Sequence, residues 1–292
     1  MDIAFIGFGE AAQALIDGWA AERPAALRAF DIKTDDSTLR AAKQADYRDH
    51  AVVGTDSLAE AVAEADLILS LVTADQSLAA AKAAAPLLRP DALYCDMNSV
   101  APETKRAAAQ AVEAADARYV DVAVMAPVRP ALHRVPLLIS GPHAADACAA
   151  LRDARLNPRA IAGEVGAASA IKMIRSIMIK GLEALTAECL LSARAAGVDE
   201  EVIASLDASF PGFDWRARGD YNLDRMLVHG RRRAAEMREA AATARALGQA
   251  GAMADATVAW QRRLGDLALS PLPDGLAAKA DAILHATGRT PA

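Results

Sequence analysis

The sequence predicts an α/β chain, a doubly wound sheet followed by an all-α C-terminal domain. Three observations carry this reading. Short apolar runs alternate with alanine-rich helical stretches up to about residue 163. A glycine-rich turn directly follows the first run, and strand signals nearly stop after Gly163, where Ala, Leu, Met, Glu and Arg take over at helical spacing. The expected domains are 1–163 and 164–292.

The runs at 3–6, 27–30, 67–72 and 92–95 read as fully buried parallel strands. Those at 119–124 and 137–139 lie closer together across a proline-containing loop, so the sheet is expected to finish with a change in connectivity. Residues 167–196 contain no proline and stop at Gly197 before an acidic restart at Asp199, which predicts one helix. At 1.5 Å per residue it would be ~45 Å long. Residues 210–220, with Pro211, Gly212 and Gly219, read as a loop, and helices resume near Leu223. The stretch after Leu269 is punctuated by proline and is expected to be peripheral.

The 292 residues suffice for two domains with apolar cores, and the formal charge of −6 provides no general basic field. Sequence-independent binding to nucleic acid or to an anionic membrane surface is therefore excluded as a function, and an anionic small molecule would need local cations. Cys95, Cys148 and Cys189 are scattered, with no metal-ligand spacing, so neither a metal nor a disulfide framework is expected. The start MDIAFIGFGE lacks a basic and apolar leader, and charges interrupt every apolar run before membrane-spanning length. A cytoplasmic location is expected.

IAFIGFGEAA places Gly7, Gly9 and Ala12 in a GxGxxA pattern between a strand and a helix. Gly7 permits the tight turn, Gly9 lets backbone approach a pyrophosphate, and Ala12 permits close packing of the helix, whose N-terminus offers amide donors. Phe8, Glu10 and Ala11 complete the cofactor-binding turn. The pattern alone also fits a merely tight turn, but its place in the first βα unit selects dinucleotide binding. Asp31 ends the second strand, where a carboxylate accepts hydrogen bonds from the adenosine ribose and repels a 2′-phosphate, which favours NAD. Lys33 and Arg40 offer a phosphate some compensation and keep NADP as the alternative.

Together with this turn, the LVT of Leu71, Val72 and Thr73, the DMNSVAPET after a strand, the VDVAVMAPV segment and GAASAIKMI opening a long helix resemble the β-hydroxyacid dehydrogenase family. Within it the chain is most similar to 6-phosphogluconate-dehydrogenase-like proteins with a distinct C-terminal domain. The resemblance implies an NAD(P)-dependent oxidoreductase that interconverts a small β-hydroxyacid-like alcohol and its carbonyl by hydride transfer. It also implies that Leu71, Val72 and Thr73 line the cofactor. Asn98 and Ser99 follow the strand ending at Asp96, at the carboxyl edge of the sheet where ligands of open α/β folds sit, and read as contacts of the nicotinamide ribose or the substrate, or as a helix N-cap before Ala101 and Pro102.

The family's general acid/base lysine falls on Lys172. Alcohol oxidation requires loss of the hydroxyl proton, and a partly desolvated amine can have its pKa lowered toward the working range. Ala170, Ile171, Met173 and Ile174 are apolar, so Lys172 is expected to be buried at the domain junction. Ser176 stands where the family usually has asparagine, as a second catalytic candidate. Arg175 stands where the 6-phosphogluconate enzymes have histidine, and Ile179 where they have the acid that protonates the enol after decarboxylation. Oxidative decarboxylation is not expected.

The family's serine-glycine-glycine turn aligns with Met125, Ala126 and Pro127, and proline has no amide to donate. Arg129, His133 or Arg134 would then meet a substrate anion, unless they are solvated loop charges. In RMLVHGRRRAAEM, His229 and Arg233 share a helix face, read either as a charged solvent face or as part of the cleft. Two other readings compete: an imine reductase, in which aspartate or tyrosine commonly replaces the lysine, and a non-catalytic dinucleotide sensor. The long helix rich in Ala, Leu and Met, and the habit of relatives, lead to an expected homodimer.

Overall fold

The computed structural model describes residues 1–22, 24 and 26–289. Its first part alternates β1 (Asp2–Ile6), α1 (Glu10–Trp19), β2 (Ala26–Phe30), α2 (Arg40–Asp49), β3 (Val53–Gly54), α3 (Leu58–Val62), β4 (Leu67–Ser70) and α4 (Ser77–Ala84). There follow β5 (Leu93–Asp96), α5 (Pro102–Glu113), β6 (Arg118–Val124), the turn α6 (Val128–Ala131), β7 (Pro136–Ser140), α7 (Ala144–Asp153) and β8 (Asn157–Ala160). The strands form one sheet in the order β3, β2, β1, β4, β5, β6, β7, β8. Neighbours are parallel except β6 and β7, which pair antiparallel with Val122 opposite Ile139. This is the expected change in connectivity.

Successive strand residues point to opposite faces, and each face has its own core. Phe5, Leu69, Cys95 and Val122 pack on one side with Leu15 and Trp19 of α1 and Leu151 of α7. Ala4, Ile68, Tyr94 and Tyr119 pack on the other with Ala61, Ala81 and Ala108 of α3, α4 and α5. The sheet is a doubly wound Rossmann sheet, as expected, with three corrections. β2 is not fully buried but alternates, because only the two residues of β3 flank it. β4 stops at Ser70, which leaves Leu71 and Val72 in the loop beyond. The edge strands β3 and β8 were not foreseen, since one has two residues and the other contains Pro158 and no apolar run.

Two compact units divide the chain, Met1–Met173 and Ile174–Ala292. The second consists of most of α8 (Ala167–Ala195), then α9 (Asp199–Ser209), α10 (Trp215–Ala246), α11 (Ala252–Gly265) and α12 (Leu276–Ala286). Its core joins Leu190, Ile203, Leu223, Met226, Leu264 and Ile283. The foreseen loop is shorter than expected, because Asp214 caps α10 by accepting from the Ala217 amide at 3.0 Å. Gly219 lies inside that helix, where a Cβ would come within 2.4 Å of Leu190 Cδ1, so close packing and not a turn requires it. The C-terminal stretch is not peripheral either, since Ala280 and Ile283 of α12 are in the core. At the α10–α11 crossing, a Cβ on Gly230 would lie 2.2 Å from the Gln261 carbonyl oxygen, and one on Gly265 would lie 2.6 Å from the Arg231 nitrogen. Among the described residues no helix is long and apolar enough to cross a membrane.

Candidate functional site

The sheet order reverses between β1 and β4, and in open α/β sheets the crevice at such a switch point, beyond the carboxyl ends of the strands, receives ligands. Gly7 leaves β1 with φ +84° and its amide on the Phe30 carbonyl at 2.8 Å. A Cβ there would lie 2.5 Å from the Leu71 carbonyl oxygen, so the turn is pressed against the segment after β4. A Cβ on Gly9 would meet nothing within 4 Å. Gly9 opens α1 without a side-chain cap, and Ala12 is fully buried, while Glu10 is exposed and Ala11 half-buried.

Phe8 contributes backbone to this turn, and its ring is directed inward. The ring is buried edge-on against Phe5 and tilted against Tyr47. Its amide donates to Asp31 Oδ2 at 2.8 Å, and its carbonyl accepts from Lys43 Nζ, also at 2.8 Å. Asp31 Oδ1 accepts the Lys33 amide at 3.0 Å. Asp31 therefore holds the turn together from within, a role beyond the expected contact with ribose. Lys33 is exposed, and Arg40 Nε donates to the Thr34 carbonyl at 2.6 Å.

On the other side of the switch point, Asn98 ties the ends of β4 and β5 together. Its Oδ1 accepts from the Val72 amide at 2.7 Å, and its Nδ2 donates to Ser70 Oγ at 3.1 Å and to Asp96 Oδ1 at 2.7 Å. Leu71, Val72 and Ser99 are half-buried, and Thr73 is exposed. Beneath them lies a group that sequence reasoning missed. Lys105 of α5 is fully buried, with Nζ 3.1 Å from Asp96 Oδ1 and 3.5 Å from Asp121 Oδ1. Asp96 also accepts from Tyr119 at 2.8 Å and Ser77 at 3.1 Å. Two signals were available: Asp121 interrupts an apolar strand, and Lys105 shares the apolar face of α5 with Ala108, Ala109 and Val112.

Asp121 and Ser140 hold the first turn of α8. Asp121 Oδ2 accepts the amides of Gly166 at 3.0 Å and Ser169 at 3.1 Å, and Ser140 Oγ accepts that of Ala168 at 3.0 Å. A buried helix start needs such partners, and here they come from β6 and β7. Lys172, on the next turn, is half-buried and not fully enclosed as expected, while Ile171 and Ile174 beside it are exposed. Further along, Arg175 is exposed and Ser176 buried.

The loop after β6 departs from expectation. Met125 is half-buried, and Ala126 and Pro127 are exposed. Arg129 pairs with Asp17 of α1 at 2.5 Å and remains exposed. His133 lies against Gly18, where a Cβ would come within 2.3 Å of its Nδ1. That is about 12 Å along α1 from Glu10, at 1.5 Å per residue. Burial, with Arg134 adding to it, holds its imidazole pKa below the usual value.

In the helical unit, Arg233 is buried and bonded to both carboxylate oxygens of Glu183, to which Gln261 also donates at 2.8 Å. Lys180, buried as well, pairs with Glu236 at 2.7 Å. The reading of a charged solvent face therefore fails for Arg233 and Glu236, whereas His229 is half-buried.

Residues 2–151 match the family described as the NAD binding domain of 6-phosphogluconate dehydrogenase, and residues 193–264 match a domain of unknown function, DUF1932. The chain belongs to this 6-phosphogluconate-dehydrogenase-like family of NAD(P)-dependent oxidoreductases, with a distinct C-terminal domain. It is similar to a conserved hypothetical protein from Sinorhizobium meliloti 1021, at 38% identity over 98% of this chain and 96% of that one, with a TM-score of 0.75. It is also similar to a conserved protein of unknown function whose structure is described as similar to 3-hydroxyacid dehydrogenases. There the identity is 29% over 91% of this chain and 97% of that one, with a TM-score of 0.68. Mycobacterium tuberculosis 3-hydroxyisobutyrate dehydrogenase, at 16% identity over 96% and 97% of the two chains, shares the fold with a TM-score of 0.70. No curated protein matches the sequence. The residues at the switch point fit the NAD(P) that this family implies, because the side-chain-free space above Gly9 and the uncapped start of α1 admit a pyrophosphate.

Proposed function

We propose that this chain interconverts a small β-hydroxyacid-like alcohol and its carbonyl, with Lys172 as the general acid/base. The supporting observation is the anchoring of the first turn of α8 by Asp121 and Ser140, which holds Lys172 on a fixed helix start in the same unit as the glycine turn. The backbone at Gly9, Glu10, Ala11 and Ala12 would hold the pyrophosphate, Asp31 the adenosine ribose, and Leu71, Val72, Thr73 and Asn98 the nicotinamide side. NAD(P) held there would supply the hydride acceptor or donor. Lys172 takes the hydroxyl proton in oxidation and returns it in reduction. Ser99 and Met125 border the substrate. Arg129, exposed beside Asp17, and His133, against Gly18, stay the anion candidates on the loop after β6.

NAD is the preferred cofactor in this reading, because a carboxylate at Asp31 repels a 2′-phosphate. The exposed side chains of Ile174, Met178 and Leu185 on one helix lend support to a homodimer formed through α8. A panel of hydroxyacids, hydroxyaldehydes and aryl alcohols, followed at the nicotinamide absorbance with NAD and with NADP, tests the reaction. Turnover of at least one hydroxyacid is expected, and cofactor binding with no turnover across the panel would sink the reading. Light scattering tests the dimer, and a monomer mass at micromolar concentration would reject it.

A further inference from the structure

We propose that Asp121 is a positioning residue for Lys172, acting through the α8 start on both the place and the charge state of the amine. The inference rests on the reading of Lys172 as the acid/base. Its grounds are geometric. One carboxylate oxygen receives the amides of Gly166 and Ser169 and the hydroxyl of Ser140, and that hydroxyl in turn receives the Ala168 amide. Ser169 adds a hydrogen bond from its own hydroxyl to the Val100 carbonyl. Val100 beyond β5, Asp121 within β6 and Ser140 at the end of β7 are thereby stitched to one helix start.

A neutral cap would satisfy the same amides, so the charge needs its own account. Asp121 is fully buried, and a buried acid side chain needs paired and hydrogen-bonded surroundings. Lys105 supplies them from one side, 3.5 Å from Oδ1, while the positive end of α8 supplies them from the other. Lys105 also lies 3.1 Å from Asp96, whose same oxygen receives both the Asn98 amide and the Asn98 side chain. A single buried ammonium thus fixes two carboxylates, one under the cofactor-side residue Asn98 and one under the helix that carries Lys172. The unopposed N-terminus of a helix disfavours a nearby cation, and the Asp121 charge opposes it. Loss of that charge should lower the pKa of the Lys172 amine.

The test compares the wild-type protein with Asp121→Asn in three measurements: hydrogen exchange of the segment 164–171, the pH dependence of amine acetylation at Lys172 read by mass spectrometry, and NADH affinity. In the variant, exchange in the segment is expected to rise about tenfold, as befits loss of a charge-assisted acceptor. The Lys172 titration should move down by about half a unit or more, with NADH affinity within about threefold. Unchanged exchange overturns the proposal, and so does increased exchange with an unchanged titration, which would leave Asp121 a cap and nothing more. If Asp121→Asn does not fold, Ser140→Ala serves instead, since it removes the partner of Ala168 and leaves the carboxylate. Exchange in the same segment is then expected to rise severalfold, and no rise overturns the proposal. Neither exchange nor titration needs a substrate, so a wild-type protein without turnover would sink the proposed reaction and leave this proposal to be decided by those two measurements.

Discussion

The carboxylate of Asp31 accepts the amide hydrogen of Phe8 across 2.8 Å, so the end of the second strand closes the glycine turn from the inside. A residue that only read the ribose would, on truncation, weaken NADH and spare NADPH. Asp31→Ala is instead expected to weaken both, because the turn itself loosens. It should also cost about 1–3 kcal/mol of stability, the range for stranding buried hydrogen-bonding groups. Fluorescence titration with each cofactor and urea denaturation check this, and a gain in NADPH affinity at unchanged stability would refute it.

The two glycines of the turn should fail in different ways. Gly7→Ala forces a side chain into φ +84° and toward the Leu71 carbonyl, so stability falls by about 1–3 kcal/mol. Gly9→Ala has room within the protein and ordinary dihedrals, and should cost less than about 1 kcal/mol. Its methyl group projects where the pyrophosphate is proposed to sit, and NADH affinity should fall about tenfold or more. Thermal unfolding beside calorimetric titration separates the two outcomes.

Lys172→Met should abolish turnover and leave dinucleotide affinity nearly unchanged. General acid/base groups contribute about 10²- to 10⁴-fold, and methionine keeps the apolar stem. Steady-state kinetics on whichever substrate the panel yields measures the loss. Retention of more than about a tenth of the activity would remove the lysine from the chemistry.

Arg233→Met leaves Glu183 a buried carboxylate with Gln261 as its remaining partner, and a loss of about 3–5 kcal/mol is expected. The double variant Arg233→Met, Glu183→Leu should recover most of it, because the apolar pair strands no charge. Chemical denaturation of wild type, the two single variants and the double variant forms the cycle. A single variant as stable as the wild type would mean that the pair is solvated.

Arg194, bonded to Asp281 through Nε at 2.7 Å and through Nη2 at 2.9 Å, holds that carboxyl below its ordinary pKa of 3.8. A depressed carboxyl stabilises the fold above the unfolded-state value, and its contribution disappears as the pH falls through the folded-state value. Asp281→Asn should therefore cost stability at pH 7, by at most about 1 kcal/mol because water screens this partly exposed pair. The difference from wild type should shrink as the pH is lowered past 3.8. Urea midpoints at the two pH values test the sign, and a difference that grew on acidification would contradict it.

What the sequence revealed and what it concealed follow from distance along the chain. The glycine turn and α8 were legible because each is specified within its own stretch, one by Gly7, Gly9 and Ala12, the other by an uninterrupted run closed at Gly197. Charged residues were misread where their partners lie far off. Arg233 looked solvated because its partner Glu183 is 50 positions away, and the pairing of Arg129 with Asp17, 112 positions away, was equally hidden. The first turn of α8 takes an acceptor from Asp121, which lies 45 positions upstream of Gly166. Asp31 was read for its outward role, since its inward bond to Phe8 depends on two strand ends meeting.

The crossing of α10 and α11 has a meaning for how this protein can change over time. Gly230 and Gly265 are each hemmed in by the other helix's backbone, and backbone cannot be altered by substitution. No compensating change at a neighbouring side chain can therefore make room for a methyl group at either position. In a mutational library selected for folding, these two sites should admit glycine alone, while the surrounding apolar positions exchange among residues of similar volume. The helical hairpin is thus the part of the second unit whose spacing side-chain substitution cannot relax.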